Sequence, residues 1–143
     1  MINKPGTGTL PDKDPEMQRA IAARTKQPPG TGALGNKTEI MLLVDEDIKR
    51  FFVAEHHRLL LGRFENTDHP DQVNLSPYDA LDKGVSRFHL QLEVQDRQLL
   101  ATDLNSTNGS YLSGELLTPN KPEIVRNGDV LTLGRLSVQV LFR

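Results

Sequence analysis

Ser86-Arg87-Phe88-His89-Leu90-Gln91-Leu92-Glu93-Val94 places Phe88, Leu90, Leu92 and Val94 on one side and Arg87, His89, Gln91 and Glu93 on the other. This period of two marks a half-buried β-strand. Asp96-Arg97 turns the chain, and residues 99–104 run back. Directly beyond lies the polar run Asn105-Ser106-Thr107-Asn108-Gly109. The stretch therefore predicts a hairpin over 87–104 whose open end carries hydroxyl and amide groups.

The same rhythm extends in both directions. Upstream, strands are expected at 39–44, 48–54, 58–62 and 73–75, with Asp45-Glu46-Asp47 as a turn. Downstream, they are expected at 110–112, around Val125, at 130–133 after Gly128-Asp129, and at 137–142 after Gly134-Arg135. Many short strands with closely spaced turns predict an all-β sandwich. Residues 37–143 are long enough to enclose such a core.

Residues 1–36 read differently, as a flexible tail. They hold two Gly/Thr clusters, Pro5-Gly6-Thr7-Gly8-Thr9 and Pro28-Pro29-Gly30-Thr31-Gly32, and few large apolar side chains. Between the clusters a short helix is expected over 15–26. Asp14 suits its cap, Pro15 its first turn, and Glu16 its positive end. Met17, Ala20, Ile21 and Arg24 would share one face.

The chain of 143 residues has a net charge of −2, which argues against a general nucleic-acid binder. The tail holds five Lys/Arg and three Asp/Glu, the remainder twelve and sixteen. Any anion site must therefore be built locally on a slightly acidic body. With no cysteine, disulfides and thiolate metal sites are excluded. No apolar stretch approaches the roughly 20 residues that span a bilayer, and the polar start is unlike a signal peptide. A cytoplasmic location without membrane contact is expected.

Three polar signals sit where apolar runs meet turns: Gly62-Arg63, Ser86-Arg87-Phe88-His89, and Asn105 to Gly109. Together they offer guanidinium, hydroxyl and amide donors. Guanidinium forks suit a phosphate because they are planar, permanently charged and bidentate. These segments resemble the forkhead-associated (FHA) domain family, as do Asp103-Leu104 and the closing Asn127-Gly128-Asp129 with Leu131, Leu133 and Gly134. Ser76-Pro77-Tyr78-Asp79-Ala80, with Gly84-Val85, resembles the binding loop of some bacterial members.

The resemblance implies an FHA-like β-sandwich of about eleven strands that recognises phosphothreonine peptides through loops at one end. It implies that Arg63 and Ser86 bond the phosphate and that Arg87 supports it. Thr107 would lie beside the phosphothreonine, and Asn108 would bond the peptide backbone. Gly62 and Gly109 would supply backbone geometry, and His89 would brace the loops from beneath. The alternation above instead puts His89 on a polar face. The two placements agree if a loop covers that face.

The protein is thus expected to be a non-enzymatic signalling adaptor, with a phosphothreonine-containing protein as partner and a Ser/Thr kinase upstream. No cofactor or metal is expected. Thr9, with Asp12 three positions later, and Thr7 are candidate phosphorylation sites. Either would make the tail a ligand for its own domain, in cis or in trans. A different reading is a phosphate-independent assembly scaffold that uses the sandwich faces or the tail helix.

Ser86, His89 and Asp103 could suggest a hydrolytic triad, but Ser86 lacks a nucleophile-elbow context. His56-His57 and Asp68-His69-Pro70-Asp71 contain metal-ligand residue types. However, neighbouring residues on a strand face opposite ways, and the second group reads as a solvated loop.

Overall fold

In the computed structural model, residues 37–65 and 69–142 are described. The expected tail, its helix at 15–26, Thr7, Thr9 and Asp68 lie outside them. Among the described residues, eleven strands occur in chain order: β1 (Lys37–Val44), β2 (Asp47–Ala54), β3 (Arg58–Gly62), β4 (Gln72–Asn74), β5 (Leu90–Gln95), β6 (Gln98–Asp103), β7 (Ser110–Leu112), β8 (Glu115–Leu116), β9 (Glu123–Val125), β10 (Val130–Leu133) and β11 (Leu136–Phe142). They form a six-stranded sheet, β2-β1-β11-β10-β7-β8, and a five-stranded sheet, β4-β3-β5-β6-β9. A 3-10 turn, Ser76–Tyr78, interrupts the β pattern. Among the described residues, no helix is long and apolar enough to cross a membrane.

The hairpins follow from their turn residues. Asp96 and Arg97 both have positive φ, 54° and 60°, the backbone that matches the twist of paired strands in a two-residue hairpin. Glu55 steadies this turn by accepting bonds from the Asp96 and Arg97 amides at 2.5 and 3.1 Å. Ser113 and Gly114 repeat the positive-φ pair between Leu112 and Glu115, which face each other across β7 and β8. Strand β8 carries no apolar alternation and was not legible from sequence. It exists because this turn delivers it to β7.

The core fills the space between the sheets. Leu59, Leu61, Leu90, Leu92, Val94, Leu99 and Ala101 meet Ile40, Leu42, Leu131, Leu133, Val138 and Val140 in one buried cluster. The expected strand at 87–94 begins later, at Leu90. Phe88 is therefore not a core residue. It is 54% exposed and meets Phe64 edge-on, with ring centroids 5.4 Å apart. His89, placed on the polar face by the alternation, is fully buried. Pairing is antiparallel throughout except for β3 with β4, which is parallel. That exception brings the 62–65 and 74–88 segments to the same end of the sandwich.

Candidate phosphate-binding rim

The rim begins at a backbone crossing. A Cβ on Gly62 would lie 1.9 Å from the Arg87 carbonyl oxygen, so only glycine allows the end of β3 to pass beneath the 85–89 loop. The Arg63 amide donates to the Ser86 carbonyl at 3.2 Å, and the Leu75 amide donates to the Gly62 carbonyl at 2.8 Å. The Arg63 side chain lies along the same loop, its Nε donating to the Val85 carbonyl at 2.5 Å. That bond anchors the guanidinium through Nε and leaves the two Nη groups, the fork that suits two phosphate oxygens.

His89 joins this loop to the next. Its Nδ1 accepts from the Ser86 amide at 2.9 Å, and its Nε2 stands 2.9 Å from the Gly109 carbonyl. Accepting at Nδ1 and donating at Nε2 requires the neutral ring. Burial pushes its pKa below the usual histidine value, outweighing the Gly109 bond and the nearby Asp103 charge. His89 thus lies buried between the two loops, not on the polar face that the alternation predicts. The residue sits just before β5, where the chain has not yet settled into the strand's two-sided pleat.

The third loop is held by Asp103 at the end of β6. Its Oδ1 accepts from the hydroxyls of Ser106 (2.6 Å) and Ser110 (2.5 Å), and its Oδ2 from the Ser106 amide at 3.1 Å. Burial alone would raise the carboxyl's pKa. The bonds from Ser106 and Ser110 overcome that effect and hold it below the ordinary value. Ser106 Oγ in turn accepts from the Gly109 amide at 3.0 Å. Gly109 takes the turn with φ of 84°.

The loops are then stitched together directly. The Thr107 amide donates to Ser86 Oγ at 3.1 Å, and Asn108 Nδ2 donates to the Gly84 carbonyl at 3.0 Å. Ser86 Oγ keeps its own hydrogen to donate, and Asn108 keeps its Oδ1 and a second N–H. Arg63 and Ser86 are half-buried, while Arg87, Thr107 and Asn108 are exposed. Arg63, Ser86, Thr107 and Asn108 are thus tied into one rim, supported by Gly62, His89 and Gly109. Arg87 shares the loop through its backbone, and its guanidinium makes no ion pair among the described residues.

The Gly134-Arg135 turn, which the sequence pattern does not assign to the site, is a fourth contributor. The β10–β11 turn docks on the same end: the Gly134 amide donates to Gly109 O at 3.0 Å and the Arg135 amide to Lys83 O at 2.8 Å. A Cβ on Gly134 would come within 2.4 Å of Lys83 O. The signal was present, since Leu133-Gly134-Arg135 repeats Leu61-Gly62-Arg63. In both places a glycine at a strand's end or just past it is crossed by a loop backbone.

Ser86, His89 and Asp103 form no triad. Both His89 ring nitrogens are committed to backbone groups, and Asp103 is committed to Ser106 and Ser110. At the other end of the sandwich, His57 Nε2 meets Asp71 Oδ1 at 2.9 Å. Among the described residues, no group of three His, Cys, Asp or Glu converges as for a metal ion.

A family model described as FHA domain matches residues 59–134. One solved structure, described as part of the analysis of phosphothreonine-dependent FHA domain interactions, is 27% identical with a TM-score of 0.53. The match covers 72% of this chain and 95% of that one. The FhaA FHA domain, solved in complex with the intracellular domain of Rv3910, is 25% identical with a TM-score of 0.51, covering 71% and 98%. The N-terminal FHA domain of S. cerevisiae Rad53p, solved with a phosphothreonine peptide, shares the fold at 19% identity and a TM-score of 0.57, covering 73% and 94%. No curated protein matches the chain.

Proposed function

This chain belongs to the FHA domain family, and from that membership we propose that it is a non-enzymatic adaptor that captures phosphothreonine peptides at the Arg63–Ser86–Asn108 rim. The observation that carries this reading is the fixed Arg63 guanidinium, anchored through Nε on Val85 O in the loop that carries Ser86. A phosphate offers three acceptor oxygens and about −1.5 to −2 charges at neutral pH. Arg63 Nη groups and Ser86 Oγ meet the phosphate, Thr107 flanks the phosphorylated residue, and Asn108 bonds the peptide backbone. Arg87 adds charge from the loop.

The partner is a phosphoprotein, and a Ser/Thr kinase acts upstream. Binding of a phosphothreonine peptide by a solved relative's FHA domain supports the ligand class, and the rim chemistry supports the phosphate. Discrimination against phosphoserine rests on one methyl group, about 0.8 kcal/mol or roughly fourfold if fully buried. Asp or Glu in the peptide binds poorly, having less charge and fewer oxygens. The tail, phosphorylated at Thr9 or Thr7, would compete for the same rim.

Fluorescence anisotropy with matched phosphothreonine, phosphoserine and unmodified peptide libraries tests this. A charge-assisted bond contributes about 1.5–3 kcal/mol, so Arg63→Ala is expected to lose at least about tenfold in affinity with an unchanged fold. Equal binding of phosphorylated and unmodified libraries would refute the reading.

A further inference from the structure

Neighbouring strands β1 and β11 of the six-stranded sheet carry apolar side chains on both faces. Ile40, Leu42 and Val44 of β1 and Val138, Val140 and Phe142 of β11 point into the sandwich. The residues between them point the other way. There Met41, Leu43 and Leu141, with Ile48 packed against them, form a separate cluster. Register sets Met41 against Leu141 and Leu43 against Gln139. Every member comes from β1, β2 or β11, so no other described element packs on this face.

These side chains are buried all the same. Met41 and Leu141 are 0% exposed, Gln139 5% and Leu43 6%. Arg50 lies over part of the patch, its Nη1 3.4 Å from Met41 Sδ, but one side chain does not close a patch two strands wide. Gln139 Oε1 is buried with no hydrogen-bond donor, although Gln139 Nε2 reaches Gly128 O at 3.1 Å. Beside it is a hollow of about 310 Å³, whose lining includes Leu43, Asp45, Val130 and Arg135. The sequence carries the same message. A strand with water on one face alternates, whereas β1 runs Ile40-Met41-Leu42-Leu43-Val44 without a break, as strands covered on both sides do.

We propose that residues 15–26 of this chain cover the outer face of β1 and β11, with Met17, Ala20 and Ile21 turned toward Met41, Leu43 and Leu141. Three observations select this occupant. The segment enters the fold at this sheet, because residue 36 leads directly into β1. Residues 27–36 can span up to about 33 Å when extended, enough to fold back over two strands. The tail's excess of Lys/Arg complements the acidic remainder, whereas a second copy would set one acidic body against another. This docking is independent of phosphate binding.

The test uses the full chain. Because it lacks cysteine, a nitroxide on Gln18→Cys is a unique label. The methyl signals of Met41, Leu43, Leu141 and Ile48 are expected to broaden selectively. Those of Leu60, Leu100 and Ile124, on the outer face of the other sheet, are expected to stay sharp. Adding Ile21→Asp in the labelled chain should abolish the selective broadening. Uniform broadening, or selective broadening that survives Ile21→Asp, overturns the proposal. So does equal broadening in a mixture of spin-labelled and isotope-labelled chains, which would assign the cover to a second copy.

Discussion

Gly62 has no room for even a methyl group, and its neighbour above is backbone. Gly62→Ala must push the Arg87 carbonyl aside, which costs more than moving a flexible side chain. Overpacking of this kind destabilises by about 1–3 kcal/mol or more. The variant should unfold at a visibly lower temperature and bind phosphopeptide poorly, since the displaced loop carries Ser86. Thermal unfolding and anisotropy on the same sample check both effects. His89 sets a pH dependence. Its folded pKa is lowered by burial, so below about pH 6.5 the unfolded chain takes a proton that the folded chain resists. The stabilisation is complete above pH 6.5 and is lost as pH falls toward the folded pKa. The urea midpoint is expected to drop between pH 7 and pH 5. His89→Gln should be less stable at pH 7 but show a flatter slope; parallel slopes would contradict this assignment.

At the scale of elements, the rim is a set of loops braced by buried polar groups. Asp103 closes the 103–110 loop with three bonds. Asp103→Ala leaves the Ser106 and Ser110 donors without their acceptor, at about 1–3 kcal/mol for a buried group left unsatisfied. It should also weaken peptide binding, because Thr107 and Asn108 are positioned by that loop. Urea titration read beside anisotropy separates the two effects: a stable variant with unchanged affinity would show that the loop needs no strut. Asp103 acts in the same pH direction as His89 but in a more acidic range. Its folded carboxyl lies below its ordinary value, so its contribution is present above about pH 3.8 and lost below. The same scale explains the parallel β3–β4 pair, which directs both strands toward the site end.

For the whole molecule, the question is how tail and domain work together. A phosphorylated Thr9 tethered to its own rim would act at an effective concentration in the millimolar range. Phosphorylation at Thr9 is therefore expected to weaken capture of an added phosphopeptide by the full chain, with a much smaller effect in Arg63→Ala, whose rim holds either phosphate at least about tenfold less tightly. Equal affinity of phosphorylated and unphosphorylated full-length protein would rule out the cis form. The charge split supports such contact, since the tail carries an excess of Lys/Arg and the remainder an excess of Asp/Glu.

Local pattern by itself determined the all-β class, the 99–104 return strand, the turns at Asp96-Arg97 and Gly134-Arg135, and the ordered loop signals from Gly62 to Gly109. A strand's period and a turn's backbone needs are short-range, so a few neighbouring residues carry them. Tertiary structure decided what those neighbours cannot encode. It buried His89 and exposed Phe88, because the pleat starts only at Leu90. It delivered β8 through a turn rather than an apolar repeat, and it set the Gly134 crossing against Lys83. It also buried Met41 and Leu141 on the face that points away from the sandwich. Each of these depends on which surfaces meet across long stretches of chain, and burial is a property of the meeting, not of the residue.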